Sequence, residues 1–509
     1  MSAQAYSRRS VLACAAALGA TGLVPRYAFA QSSGLLAARS PALRAIGERL
    51  HALLQNPAAR RVAGAVVAVS IGDEELVLVS GSANLNTGQP FTPDTGFLLG
   101  SVTKVLVTTI MLRLVERGLV DLDAPAQHYV PEFTLSDREA AARIKVRMLL
   151  NHTNGIDAHT LCPWMVRGRE AGRSYTAYLP RVGALFEPGT CVTYSNPGFV
   201  VASRVIEEVT GLPFELAIRS ELFGPAGMRD ATAVQTQAFL RRTAIGAVPS
   251  PDGKELVATP TFTLGEGLAG GGTTAIVSPQ DMLAFGRMHL RGGVAPNGTR
   301  VLSAESVEAM RTTSFDLGMQ QAPPVGLGWW KFPIAGTTAF QHGGGSIGGG
   351  SSLCIVPDHD AVIVSFAAGP GAGGLNAALR MEAIEQMTGR SALSPMTVKP
   401  QPIPADVAGE YRILQDRVMV EVDGEELIMT HNYEPIDQEH RDFFEQMWGR
   451  GRFPPTRFRS IGEGLYAPVS WDPATHSSFG RTRLLAVLPA TASRRMALHN
   501  DLNFIPKAS

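Results

Sequence analysis

Strand-like runs at two distant places in the chain bracket a long stretch of helix and loop, and no other feature limits the fold as much as this order. At the near end, Val62–Ile71 alternates small and β-branched residues, Gly72-Asp73 makes a turn, and Leu76–Ser80 returns, which predicts a hairpin. At the far end, Ser352–Val356 and Ala361–Ala367 flank the turn residues Pro357-Asp358-His359-Asp360, and Leu375–Met387 reads as an apolar helix ending near Gly389. In between, Ser101–Val115 before Gly118, Phe199–Val209 before Gly211, and Met282–Leu290 after Ser278-Pro279 carry helix start and stop signals. Strands first, helices next, and strands with a helix last predict an α/β sheet domain with a mostly helical region inserted into it.

Pro395, Pro400, Pro402 and Pro404 then mark a stiff linker and a domain boundary. Beyond it, Arg417–Val422, the turn Asp423-Gly424, Glu426–Thr430 and Arg483–Leu488 predict a small antiparallel β-barrel or sandwich. The expected organisation is a leader over 1–30, the α/β body over 31–392, a linker over 393–405 and a β domain over 406–509.

The leader rests on Ser7-Arg8-Arg9-Ser10-Val11-Leu12, which has the twin-arginine form, followed by an apolar stretch to Val24 and an Ala28-Phe29-Ala30 cleavage signal. It implies export to the periplasm or beyond. Its loss would remove Arg8, Arg9 and Arg26 from a balance of 45 basic and 45 acidic residues, leaving the mature chain at −3. With 45% hydrophobic and 18% charged residues the chain is a folded one, expected to be water-soluble without stable membrane insertion. It lacks the basic excess of a nucleic-acid binder. Nothing in the sequence fixes an oligomeric state. Past the leader stand Cys162, Cys191 and Cys354, which is no disulfide framework; Cys162 and Cys191 are the candidate pair for a single bridge. No C-x-x-C or paired-histidine spacing suggests zinc.

Three short motifs carry chemistry. Ser101 and Lys104 stand three residues apart at the start of an apolar run. On a helix they would share one face, and the helix N-terminus would add free N–H groups and partial positive charge. A hydroxyl there, with an amine one turn away, suits an activated nucleophile facing an oxyanion, although the pair also fits an N-cap serine and a surface lysine. In Tyr194-Ser195-Asn196, after the turn Glu187-Pro188-Gly189, an extended backbone would point Tyr194 and Asn196 to one side. The phenol could act as a general base beside a cation, and Asn196 offers a donor and an acceptor to a substrate amide. In His342-Gly343-Gly344-Gly345, after the strand-like Thr338–Gln341, bare backbone would admit a substrate, and the Gly345 N–H could pair with that of Ser101 in an oxyanion hole.

Taken together the three motifs resemble the serine β-lactamase and penicillin-binding superfamily, in the branch of class C β-lactamases, D,D-carboxypeptidases, D-aminopeptidases and esterases. The order Ser-x-x-Lys, Tyr-x-Asn, Lys/His-x-Gly is kept, with spacings of 93 and 148 residues. The segments Leu149–Gly155, Phe186–Gly189, Gly224–Met228 and Gly267–Gly271 also resemble that branch, over roughly residues 40–390. The resemblance implies an antiparallel sheet flanked by helices, a mostly helical insertion, and an acyl-enzyme formed on Ser101. In it, Lys104 and Tyr194 share the proton work, and the N–H groups of Ser101 and Gly345, beside Gly344, hold the oxyanion. Asn196 positions the substrate, and neither metal nor cofactor is needed. Lysine is usual in β-lactamases where His342 stands. A histidine there, only partly charged near neutrality, points to an ester or D-amino-acid substrate ahead of a β-lactam, with apparent affinity falling as pH rises through about 6–7. The appended β domain resembles those of D-aminopeptidase relatives.

Other readings compete. Gly344-Gly345-Ser346-Ile347-Gly348 matches the nucleophile elbow of α/β-hydrolases, but it overlaps the glycine motif and leads towards a strand rather than a helix. A penicillin-binding sensor would be acylated at Ser101 without fast turnover. His431, Glu434 and His440 fit no common metal site, and His152 reads as structural.

Overall fold

The computed structural model describes residues 40–55, 61–157, 167–168, 170–319, 322–438, 441–442, 454–476, 484–500 and 502–508. Helix α1 (Pro41–Leu54) was not anticipated. Ser40 caps it by accepting from the Leu43 N–H, Pro41 fits the first turn, and Leu43, Ile46, Leu50 and Leu54 form one buried face. The predicted hairpin follows as β1 (Gly64–Ile71) and β2 (Glu74–Asn84), turning at Gly72, whose φ of +56° suits a residue without a Cβ. A short β3 (Gln89–Pro90) pairs with the end of β2.

The inserted region comes next. Its central helix, α2 (Thr103–Glu116), is buried almost all round, as its nearly continuous apolar sequence requires. Helix α3 (Asn196–Thr210) starts at the Ser195 cap, which accepts from the Gly198 N–H, and ends on left-handed Gly211. Helix α4 (Pro279–Leu290) starts with a capping box between Ser278 and Asp281.

The second strand group is β4 (Trp330–Ile334), β5 (Thr337–Ser346), β6 (Gly349–Val356) and β7 (Ala361–Ala368), followed by α5 (Ala372–Thr388). Seven antiparallel strands make one sheet in the order β3-β2-β1-β7-β6-β5-β4, closed across the insertion by β1 against β7, with Gly64 opposite Ala368. Both faces of β1 are covered. Ala65, Val67 and Val69 pack with α1 and α5, whereas Val66 and Ala68 face the core shared with α2, α3 and α4. Among the described residues no helix is long and apolar enough to cross a membrane.

After the prolines, eight antiparallel strands follow in chain order. They are β8 (Gly409–Arg412), β9 (Asp416–Asp423), β10 (Glu426–Tyr433), β11 (Thr456–Gly462), β12 (Leu465–Pro468), β13 (Leu485–Leu488), β14 (Ala497–Asn500) and β15 (Asn503–Pro506). Tyr411 on β8 bridges to Lys507, and the Ala508 N–H donates to the Glu410 carbonyl, so the first and last strands meet and the sheet closes into a barrel. The barrel core of Tyr411, Val418, Leu427, Phe458, Leu498 and Phe504 also takes in Leu185, Phe186 and Cys191 from the inserted region. Cys191 is a free, buried thiol rather than half of a bridge. Cys162 and the leader lie outside the described residues.

Candidate active site

The approach to Ser101 is set by glycine. Gly100 has φ +59°, so the chain bends sharply and enters α2 through one 3₁₀ turn, Gly100–Val102. Ser101 therefore sits in that turn rather than in the α-helix expected from the sequence. The spacing still works: Lys104 Nζ lies 3.2 Å from Ser101 Oγ. Lys104 is fully buried, and its Nζ donates to Asn196 Oδ1 at 2.7 Å and to the Gly271 carbonyl at 2.6 Å.

Tyr194 lies in the irregular segment just before the Ser195 cap, and Asn196 is the first residue of α3, so the pair spans a helix start instead of an extended strand. Both nevertheless reach the same place. The Tyr194 hydroxyl lies near enough to Ser101 for the serine to lower its pKa, and Lys104 Nζ stands 4.8 Å from the centre of the Tyr194 ring. Gly270 and Gly271, at the end of a 3₁₀ turn over Glu266–Gly271, close the floor; a Cβ on Gly270 would come within 2.4 Å of the Phe199 carbonyl.

The third motif does not form a loop. Strand β5 continues through all three glycines to Ser346, with Gly344 opposite Ser351 and Gly345 opposite Gly350 on β6. On its other edge β4 pairs only as far as Gln341, so residues 342–346 offer an unpaired edge. Ser101 sits against this edge. A Cβ on Gly344 would fall 2.1 Å from the Leu99 carbonyl and 3.1 Å from Ser101 N, and one on Gly100 would fall 2.9 Å from Gly345 N. Only bare backbone permits that close approach of Ser101 to the glycine edge.

Burial dominates the electrostatics. It drives the Lys104 amine well below its usual range and raises the Tyr194 phenol above its own, against the lowering effect of Ser101 beside it. His342 is only 2% exposed, and burial followed by the nearby Lys104 pushes its pKa down to about 3. The partial charge expected on His342 is therefore absent at neutral pH, and with it the reason for affinity to change through about 6–7. The ring is held in one tautomer: Nδ1 donates to the Gly343 carbonyl at 2.6 Å, and buried Nε2 has no hydrogen-bond partner.

Two contributors were not singled out from the sequence as part of the site. Gly271 supplies the carbonyl that holds Lys104. His152 accepts from the Ser195 N–H through Nδ1 at 3.0 Å, stacks on Trp330 at 5.3 Å and lies 4.7 Å from the Tyr194 ring. The only sequence signal for either was its place in a family-like segment. Ser346 closes a β-hairpin into β6, which is incompatible with a nucleophile elbow leading into a helix. His431 pairs with Asp416 at 3.0 Å, and His440 lies outside the described residues. Among the described residues no cluster of three His, Cys, Asp or Glu could hold a metal.

Comparison with known proteins agrees with this fold. Residues 49–386 match the Beta-lactamase family model. Penicillin-binding protein 4 of Amycolatopsis lactamdurans is 30% identical over 356 residues, 68% of this chain and 91% of that protein. Esterase EstB of Burkholderia gladioli is 33% identical over 200 residues, 35% of this chain and 49% of that protein. The crystal structure of SurE superposes with a TM-score of 0.72 at 23% identity, over 92% of this chain and 99% of that one, a likeness of fold that includes the barrel. The chain therefore belongs to the β-lactamase family, within the serine β-lactamase and penicillin-binding superfamily.

Proposed function

We propose that this protein is a serine hydrolase that forms an acyl-enzyme at Ser101, acting on a small ester or on an amide or peptide that contains a D-amino acid. The observation that carries the reading is the position of Ser101 Oγ, in reach of both the Lys104 amine and the Tyr194 hydroxyl beside an open glycine edge. A neutral Lys104 has two N–H bonds, which the Asn196 and Gly271 oxygens occupy, and its lone pair then faces Ser101. Burial favours that neutral form. Ser101 Oγ attacks the substrate carbonyl carbon and its proton passes to Lys104. The N–H groups of Ser101 and Gly345 hold the oxyanion. As the intermediate collapses, Tyr194 gives its proton to the departing oxygen or nitrogen and is resupplied from Lys104. Water then repeats the sequence in reverse to release the acid. Asn196 positions the substrate amide. Replacing Tyr194 by Phe is expected to lower kcat by about 10²–10⁴-fold; a loss under about tenfold would remove Tyr194 from this role.

The neutral His342 supports a substrate without a carboxylate at that position, and the name of the similar esterase EstB is in keeping with an ester. A panel of short-chain nitrophenyl esters, D-alanyl peptides, D-amino acid amides and a chromogenic cephalosporin tests this. Esters or D-amides should turn over fastest, with KM constant between pH 6 and 7. A cephalosporin as the best substrate, or an acyl adduct that never turns over, would overturn it in favour of a β-lactamase or a penicillin-binding sensor. The twin-arginine segment supports export to the periplasm or the medium.

A further inference from the structure

We propose that the C-terminal barrel is a working part of this site: its last hairpin, β14 to β15, holds the backbone under Tyr194 so that the phenol stays within reach of Ser101. The inference rests on the role proposed above for Tyr194.

Tyr194 lies between elements, in a segment that no helix or sheet ladder fixes. Its backbone polar groups need partners from elsewhere, and the barrel provides them residue by residue. Buried His499 on β14 donates from Nε2 to the Val192 carbonyl at 3.2 Å. The N–H of Phe504, which faces His499 across the hairpin, donates to Thr193 Oγ1 at 3.2 Å. The Tyr194 N–H donates to the Leu502 carbonyl at 2.6 Å. Phe504 also meets Phe186 edge-on, with ring centres 5.1 Å apart. On the opposite side, His152 takes the Thr193 and Ser195 N–H groups on its carbonyl and Nδ1, each at 3.0 Å. Residues 192–195 are thus gripped from two sides, by the inserted region and by the barrel. A reactive side chain on an irregular segment needs such support, because a displacement of about 1 Å can cost about 10²-fold in rate.

Thr193 and His499 are positioning residues on this account, since neither touches the substrate. Three full-length variants test it: Thr193→Val removes the acceptor at nearly constant volume, His499→Phe removes the donor, and His499→Gln keeps one. Active sites are titrated with a fluorophosphonate, and kcat and KM on an ester are expressed per titrated site. Thr193→Val and His499→Phe should lower kcat per site by about 10–10²-fold, with KM within about twofold, and His499→Gln should recover most of the loss. If Thr193→Val and His499→Phe keep the wild-type kcat per site while only the titratable fraction falls, the barrel merely stabilises the protein and the inference is wrong. Should His499→Phe fail to fold, Thr193→Val decides alone. Failure of the Tyr194 role itself would show separately, as near-normal kcat in Tyr194→Phe.

Discussion

Replacing Ser101 by Ala is expected to lower hydrolysis by about 10⁵-fold or more while leaving thermal stability almost unchanged. The variant loses one oxygen. That oxygen is the proposed nucleophile. The fold loses little, because Ser101 is only partly buried and its turn is held by the left-handed Gly100 and by the close packing of Gly344 on Leu99. Lys104 keeps its two shortest bonds, to Asn196 and Gly271. Turnover of the best ester, with a melting curve on the same sample, checks both halves. A fluorophosphonate should label the wild type at Ser101 and leave this variant unlabelled. Near-normal hydrolysis by the variant, or labelling at Ser346, would refute the proposed chemistry.

Acid is expected to unfold the protein chiefly through its buried histidines. His152, His289, His342 and His499 are all buried, and burial is the largest cause of each lowered pKa. His289 and His342 fall to about 3, His499 to about 4, and His152 to well below its usual value. In the unfolded chain each ring binds a proton near pH 6.5. Below that pH the unfolded state holds protons that the folded state cannot, so stability declines as pH drops, and the decline continues until the folded values are reached. Each ring costs about 1.4 kcal/mol per pH unit in that window. Four together reach about 5.6 kcal/mol per unit, against a total stability of about 5–15 kcal/mol. Cooperative structure should therefore be lost between about pH 6 and 4, with uptake of three to four protons. Urea or thermal unfolding measured from pH 7 to 4 tests this, and a stability that stays level from pH 7 to 5 would contradict it.

What the sequence disclosed follows from how local each signal is. The hairpin at Gly72 and the helix stops at Gly211 and Gly389 rest on neighbouring residues, and they stand where they were read. Helix α1 had an equally local signal, the cap Ser40-Pro41 and the spacing of Leu43, Ile46, Leu50 and Leu54, but it went unread. The three motifs were legible as family patterns, and the fold brings Ser101, Lys104, Tyr194, Asn196 and the glycine edge together. The state of His342 was not legible, because the spacing of a motif says nothing about what covers a ring. Burial under neighbouring elements is what removes its charge. The grip of the barrel on Tyr194 was equally hidden, since Leu502 is remote in the chain and contributes only a backbone carbonyl.

The pairing of β1 with β7 also has a kinetic meaning. Gly64 meets Ala368, so the middle of the sheet cannot zip up until the whole inserted region has been synthesised. Contacts of such long range make folding slow and leave apolar strands waiting for their partners. A secretion route that accepts only finished cargo, as the twin-arginine segment suggests, would spare this chain from crossing a membrane with its central strands still unmatched.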